Sequence, residues 1–178
     1  MPLKSNALNY KLNTSIWVNL TKRLTNLLKN TIEVIFPHEW NETYYNWYQE
    51  IEKLAFRENL RYSFEEVKER LKKKDLFFLF IISDSDPEAF ILGYSLLLDS
   101  KKIFFLDTIA VKRKNQGIGT ILLNYLTEWL KKEKYFGIKV YTEEIDEKKI
   151  RLQDFYEKQG FKLEAKEPNG NLSMILWF

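Results

Sequence analysis

Leu106-Asp-Thr-Ile-Ala-Val111, running into Lys112-Arg-Lys-Asn-Gln-Gly-Ile-Gly-Thr120, is the stretch from which the architecture of this chain can be read. An apolar, β-branched run of strand length enters a basic loop with two glycines. Beyond Gly119 the apolar period becomes helical, with Ile121, Leu122, Tyr125, Leu126, Trp129 and Leu130 on one stripe. A helix opened in this way presents its first backbone N–H groups unpaired, and its macrodipole places about half a positive charge there. Glycine lets an anion approach the main chain closely. Lys112, Arg113 and Lys114 add charge, so the pattern predicts a phosphate-binding loop; a plain strand-to-helix turn is the competing reading. A dinucleotide fingerprint would need a third glycine where Leu122 stands, and a nucleotide-triphosphate loop would need Gly-Lys-Ser/Thr. A different pyrophosphate carrier is indicated.

Upstream of this stretch, the apolar runs 76–83, 89–98 and 103–111 are separated by short polar segments, which predicts an antiparallel meander. Ser63-Phe-Glu-Glu66 has the form of a capping box opening a helix to about Lys74. Asn41 is placed to cap another helix, with Trp40, Tyr44, Trp47, Tyr48, Ile51 and Leu54 along one face and Tyr45 outward. A short strand, 32–36, precedes it. Over 14–30, Trp17, Leu20, Leu24, Leu27 and Leu28 make the stripe of an amphipathic helix. Downstream, Gly137 opens a strand to Thr142, Asp146 is placed to cap a helix stopped by Gly160, and Pro168-Asn-Gly-Asn171 separates two closing strands. The predicted division is a helical extension, 1–30, and one α/β domain, 31–178.

Composition narrows the function. The chain has 178 residues, 45% of them apolar, enough for one substantial core and incompatible with intrinsic disorder. A net charge of +3 does not mark a nucleic-acid binder or a polybasic membrane anchor. Without cysteine there are no disulfides, thiolate nucleophiles or cysteine metal sites. His38, the single histidine, lies between Pro37 and Glu39 and argues against both a metal centre and a Ser-His-Asp triad. No apolar run approaches the ~20 residues of a bilayer span, and the first twenty residues lack a signal-peptide core. These readings predict a cytoplasmic protein with neither nucleic-acid nor membrane partners.

The Leu-Asp-Thr-Ile-Ala-Val strand, the Lys114-Asn-Gln-Gly-Ile-Gly119 loop and, further on, Phe155-Tyr-Glu-Lys-Gln-Gly-Phe161 together resemble the GNAT acyltransferases, whose loop reads Gln/Arg-x-x-Gly-x-Gly/Ala. The resemblance covers 32–178, including the order of elements. It implies a GNAT-like α/β (α+β) fold, a mixed and mainly antiparallel sheet of about seven strands flanked by helices, here with an extra N-terminal amphipathic helix. It implies acetyl-CoA as the acetyl donor. Ile109, Ala110 and Val111 would offer main-chain groups to the pantetheine arm. Lys114, Asn115, Gln116, Gly117, Ile118, Gly119 and Thr120 would form the cofactor loop, with Gln116 to Thr120 on the diphosphate. Tyr156 matches the family's tyrosine near the cofactor sulfur and would protonate the departing thiolate; packing beside Phe155 is its alternative role. Lys114 stands where the family usually has Gln or Arg, the link from Val111 to Gly117 is shorter than usual, and the family's frequent asparagine falls near Lys149.

Transfer to an amine also needs an acceptor for the ammonium proton, because only the neutral amine attacks a thioester. Asp107 is the leading candidate. Strand alternation puts it on the face of Ile109 and Val111, in an otherwise apolar run where a carboxylate calls for a partner. A structural hydrogen bond is its competing role. Glu143 and Glu144, at the end of the next strand, are alternative bases or solvated carboxylates. Two function classes result: an N-acetyltransferase acting on a primary amine of a small molecule, peptide N-terminus or lysine, and a noncatalytic CoA-binding or assembly module on the same scaffold. The Trp17, Leu20, Leu24, Leu27 stripe leaves two outcomes open, a homodimer contact or burial against the chain's own sheet.

Overall fold

The computed structural model describes residues 3–4, 14–146 and 150–178. They form strand β1 (Leu3–Lys4), helix α1 (Thr14–Leu28), strands β2 (Ile32–Ile35) and β3 (Glu39–Trp40), helix α2 (Glu42–Ala55) and a single-turn helix (Glu58–Leu60). Helix α3 (Phe64–Leu71), strands β4 (Phe77–Ser83), β5 (Asp86–Leu98) and β6 (Lys101–Val111), and helix α4 (Ile118–Lys132) follow. Strand β7 (Gly137–Thr142), helix α5 (Leu152–Lys158) and strands β8 (Lys162–Lys166) and β9 (Leu172–Trp177) complete the chain. One seven-stranded sheet runs β2-β4-β5-β6-β7-β9-β8. Every neighbouring pair is antiparallel except β6 and β7. The fold class implied by the sequence is therefore the one observed. A separate antiparallel pair, β1 with β3, has no precursor in the sequence reading.

Local chemistry accounts for the element ends. Asn41 Oδ1 accepts the Tyr44 N–H at 3.0 Å, and the Ser63–Glu66 capping box closes in both directions. The β4–β5 and β5–β6 hairpins turn on Asp84-Ser85 and Asp99-Ser100, all four in the left-handed region that twist-matched two-residue turns require. Gly160 ends α5 at φ +90°, the expected C′ conformation. The predicted cap at Asp146 is corrected: α5 begins at Leu152, and Asp146 Oδ1 instead accepts the Ile150 N–H within a loop closed by an Ile145–Arg151 bridge.

The helices cover both faces, which is why every residue of β4 is buried and its sequence reads as an unbroken apolar run. On one face, α1 and α4 pack on Phe77, Leu79, Ile81, Phe104 and Leu106; on the other, α2 and α3 pack on Phe78, Phe80, Phe90 and Leu92. Ile16, Trp17, Leu20 and Leu24 belong to the first core, with the Trp17 ring 6.2 Å from that of Trp129. The N-terminal stripe is thus buried against the chain's own sheet and unavailable to a second copy, while Leu27 is exposed. Tyr45 does not look outward as predicted: its ring meets Trp40 and Phe64, and its hydroxyl accepts from Gln49. Leu54, predicted on the buried face, is exposed. Among the described residues no helix is long and apolar enough to cross a membrane.

Candidate active site

The site begins with a one-residue irregularity in β6. Leu92 pairs with Thr108 but Gly93 pairs with Leu106, so Asp107 is an extra residue on the β6 side of the ladder, a β-bulge. The bulge reverses the strand's parity. Phe104 and Leu106 face the α1/α4 core, and so do Ile109 and Val111, whereas Asp107 turns to α3. The expectation that Asp107 shares a face with Ile109 and Val111 is therefore corrected; simple alternation fails wherever an extra residue is inserted. Beyond the bulge β6 also parts from β7, to which it is paired only from Phe104 to Leu106. β7 continues against β9 to Thr142, while β6 runs on to Val111 with β5 on one side and, among the described residues, no strand on the other. A cleft of about 900 Å³ opens between them, lined by Asp107 to Val111, Arg113 to Asn115, Gly117 to Thr120, the end of β7 and Tyr156; Gln116, predicted to hold the cofactor, is not among the lining residues.

The loop delivers α4 into this cleft. Asn115 and Gly117 are both left-handed, at φ +64° and +79°, and Gly117 is the helix N-cap. Among the described residues no side chain caps the helix, so its first-turn N–H groups are open to a ligand, while Ile118 is buried as the helix's anchor. A Cβ on Gly119 would come no nearer than 3.7 Å to the Phe155 ring, and one on Gly117 would meet nothing. Gly117 serves the backbone angle; at Gly119 the missing side chain leaves room on the side of the cleft formed by Phe155 and Val111. The basic run contributes less than its sequence suggests. Lys112 bonds Glu50 and Asp86, Arg113 bonds the buried Glu88, and Lys114 lies 3.7 Å from Asp146. What the loop itself presents to the cleft is main-chain N–H groups.

Tyr156 enters the cleft from the α1/α4 face, between the Phe155 and Phe161 rings at 5.1 and 5.3 Å. Burial pushes its phenol above the ordinary tyrosine range, so it keeps its proton at neutral pH. Asp107 enters from the other face. Its Oδ2 accepts from Arg70 Nε at 2.9 Å and from Thr108 Oγ1 at 3.3 Å. Arg70 is itself held by the Glu66 carbonyl oxygen and lies 3.4 Å over the Tyr62 ring. The partner that a carboxylate in an apolar strand calls for is this guanidinium. Glu143 lines the cleft and is ion-paired with Arg57; Glu144 lies outside it, bonded to Lys166. Lys149 lies outside the described residues.

Among the cleft residues that sequence reasoning overlooked are Glu52, Tyr62, Arg70 and Tyr94. Glu52 had a legible signal, a carboxylate one helical turn after Tyr48 on an apolar stripe. Burial, with Asp107 nearby, pushes the Tyr94 phenol up to about 12, and burial also raises Tyr62. Tyr94, Phe105 and Tyr141 make a run of ring contacts at 5.2 and 5.5 Å along the cleft.

The model of the acetyltransferase (GNAT) family matches residues 32–161. Among curated proteins no relative matches. Similar solved structures include the ribosomal-protein-S18-alanine N-acetyltransferase of Escherichia coli, 18% identical with a TM-score of 0.63 over 82% of this chain and 93% of that one. Arabidopsis thaliana Naa50, in complex with the bisubstrate analogue CoA-Ac-MVNAL, is 16% identical with a TM-score of 0.62 over 83% and 99%. PaiA N-acetyltransferase of Thermoplasma acidophilum, in complex with coenzyme A, is 18% identical with a TM-score of 0.60 over 83% and 99%. At these identities the three structures speak to the fold.

Proposed function

The chain belongs to the GNAT acetyltransferase family, and from that premise we propose that it transfers the acetyl group of acetyl-CoA to a primary amine by direct attack on the thioester. The observation that carries this reading is the meeting, in one cleft, of a helix N-terminus and a strand edge that no described side chain caps and no described strand covers, and a protonated buried tyrosine. The edge of Ile109, Ala110 and Val111 receives the amide groups of the pantetheine arm as an added strand would. Gln116 to Thr120, with Lys114 and Asn115 before them, receive the diphosphate on main-chain N–H groups, where no Cβ at Gly117 or Gly119 intervenes. When bound, acetyl-CoA supplies an activated acyl group, so the chain's residues have only to orient the amine and move protons.

Asp107 takes the proton that the amine sheds, directly or through water, on Oδ1, since its hydrogen bonds among the described residues fall on Oδ2. Arg70 fixes that carboxylate from the far side. Glu143, ion-paired with Arg57, is the second candidate base. Tyr156 donates a hydrogen bond to the sulfur as the carbon–sulfur bond breaks. A phenol of raised pKa is a weaker acid than a free thiol, so its contribution is chiefly to stabilise developing thiolate charge.

The test is acetyl transfer from radiolabelled acetyl-CoA to a panel of amines, alongside calorimetry with CoA. At a hundredfold excess over Kd, CoA should stabilise the fold by about 2.7 kcal/mol. Gly119→Val should fold normally yet lose that shift, because the added methyls project into the ligand's space. Binding without turnover on any amine would favour the noncatalytic module, and an unchanged CoA affinity in Gly119→Val would remove the loop assignment.

A further inference from the structure

Glu52 is a buried carboxylate in the wall of the cleft, only 3% exposed, with no part in the reaction just described. Its hydrogen bonds are lopsided. The Tyr48 hydroxyl at 2.8 Å and the Tyr62 N–H at 2.9 Å both donate to Oε1, and among the described residues Oε2 accepts none. Both donors are neutral. The two nearby guanidiniums bond elsewhere: Arg61 to the Phe56 and Lys53 carbonyls, Arg70 to Asp107 and the Glu66 carbonyl. Burial outweighs both of those charges and holds the Glu52 carboxyl above its ordinary range. A buried carboxylate in that condition is short of a cation. Among the described residues no arginine or lysine donates to it, and the open oxygen belongs to a residue that lines the cleft.

We propose that Glu52 anchors a second cationic group of the acceptor, so that the amine acetylated in this cleft belongs to a di- or polycationic molecule. The inference rests on the acetyltransferase reading for which amine reacts, and on Glu52 alone for what else that amine carries. The surrounding charges fit. Asp107, Glu143, Glu66 and Asp146 are the other carboxylates lining the cleft, Arg70 and Arg61 beside Glu52 are bonded to Asp107 and to main-chain carbonyls, and the Tyr94, Phe105 and Tyr141 rings offer apolar contact to a methylene chain and quadrupole attraction to its ammonium ends. The competing role, a tie between α2 and the segment entering α3, needs only an acceptor oxygen at this position. Glutamine supplies that oxygen without the charge, so Glu52→Gln separates the two roles.

Calorimetric titration of the CoA-saturated protein with putrescine, spermidine and butylamine is the test. In the wild type both polyamines should bind about tenfold or more tightly than butylamine, the difference made by one charge-assisted contact in a buried site. Glu52→Gln should erase that preference while leaving its thermal midpoint, its CoA affinity and its butylamine affinity unchanged. Equal affinities for putrescine, spermidine and butylamine in the wild type, or a preference that survives Glu52→Gln, would overturn the proposal. Should the variant fold poorly, the carbon-13 resonance of the wild-type Glu52 carboxylate decides: it shifts with putrescine and not with butylamine if the proposal holds, and stays put for both if Glu52 is only a tie. Failure of the acetyltransferase reading has a different signature, polyamine binding with no acetyl transfer to any amine.

Discussion

Tyr156 and Asp107 reach the same cleft from opposite faces of the sheet, and their surroundings differ. Burial alone raises the phenol of Tyr156, whereas the Asp107 carboxylate is held by an arginine and a threonine. Tyr156→Phe keeps the ring between Phe155 and Phe161 and removes only the donor. We expect kcat to fall about a hundredfold, the lower end of what a lost proton donor costs because a thiolate is a stable leaving group, equivalent to roughly 2.7 kcal/mol. Calorimetric acetyl-CoA affinity should not change. Full kcat in Tyr156→Phe, under conditions where chemistry limits turnover, would reduce Tyr156 to a packing residue. At this scale the sequence placed in the cleft residues that lie in or beside motifs, such as Tyr156 and Gly119. It was silent about Arg70, whose role exists only because α3 packs against the bulge of β6.

The bulge is the element on which the site depends, and Gly93 is what makes it possible. A Cβ there would lie 2.3 Å from the Phe104 ring and 2.5 Å from the Phe105 carbonyl oxygen, distances that no relaxation of a single side chain removes. Gly93→Ala should therefore cost at least about 1–3 kcal/mol, measured by urea denaturation, as overpacking of a filled core does. Because relief would come by moving β6 away from β5, the variant should also lose CoA affinity although Gly93 is not among the residues lining the cleft. Retained stability would mean that the strand pair tolerates a regular ladder at this point. The hairpins show the converse: Asp84-Ser85 and Asp99-Ser100 sit in left-handed turns without any glycine, and the polar separators of the sequence were enough to foresee them.

At the scale of the whole molecule, α1 lies outside the family match yet completes the core on one face of the sheet, with Leu20 and Leu24 wholly buried against it. Leu24→Glu should thus destabilise the protein by about 4 kcal/mol or more in urea denaturation, since a lone carboxylate has no partner there. A variant that stays fully stable and changes only its sedimenting mass would instead make α1 an interface. What the sequence by itself determined were the features written in neighbouring residues: helix and strand periods, the capping box, the glycine-bearing loop and the paired motifs that carry the family. Such features depend on backbone chemistry within a few positions, which a linear reading can follow. Only the tertiary structure decided the parity of Asp107, the neutralisation of Lys112 and Arg113 by Glu50, Asp86 and Glu88, the later start of α5 and the open oxygen of Glu52. Each of these turns on strand register or on the meeting of side chains distant in sequence, and one inserted residue, or one carboxylate folded into reach, changes the outcome without altering any local pattern.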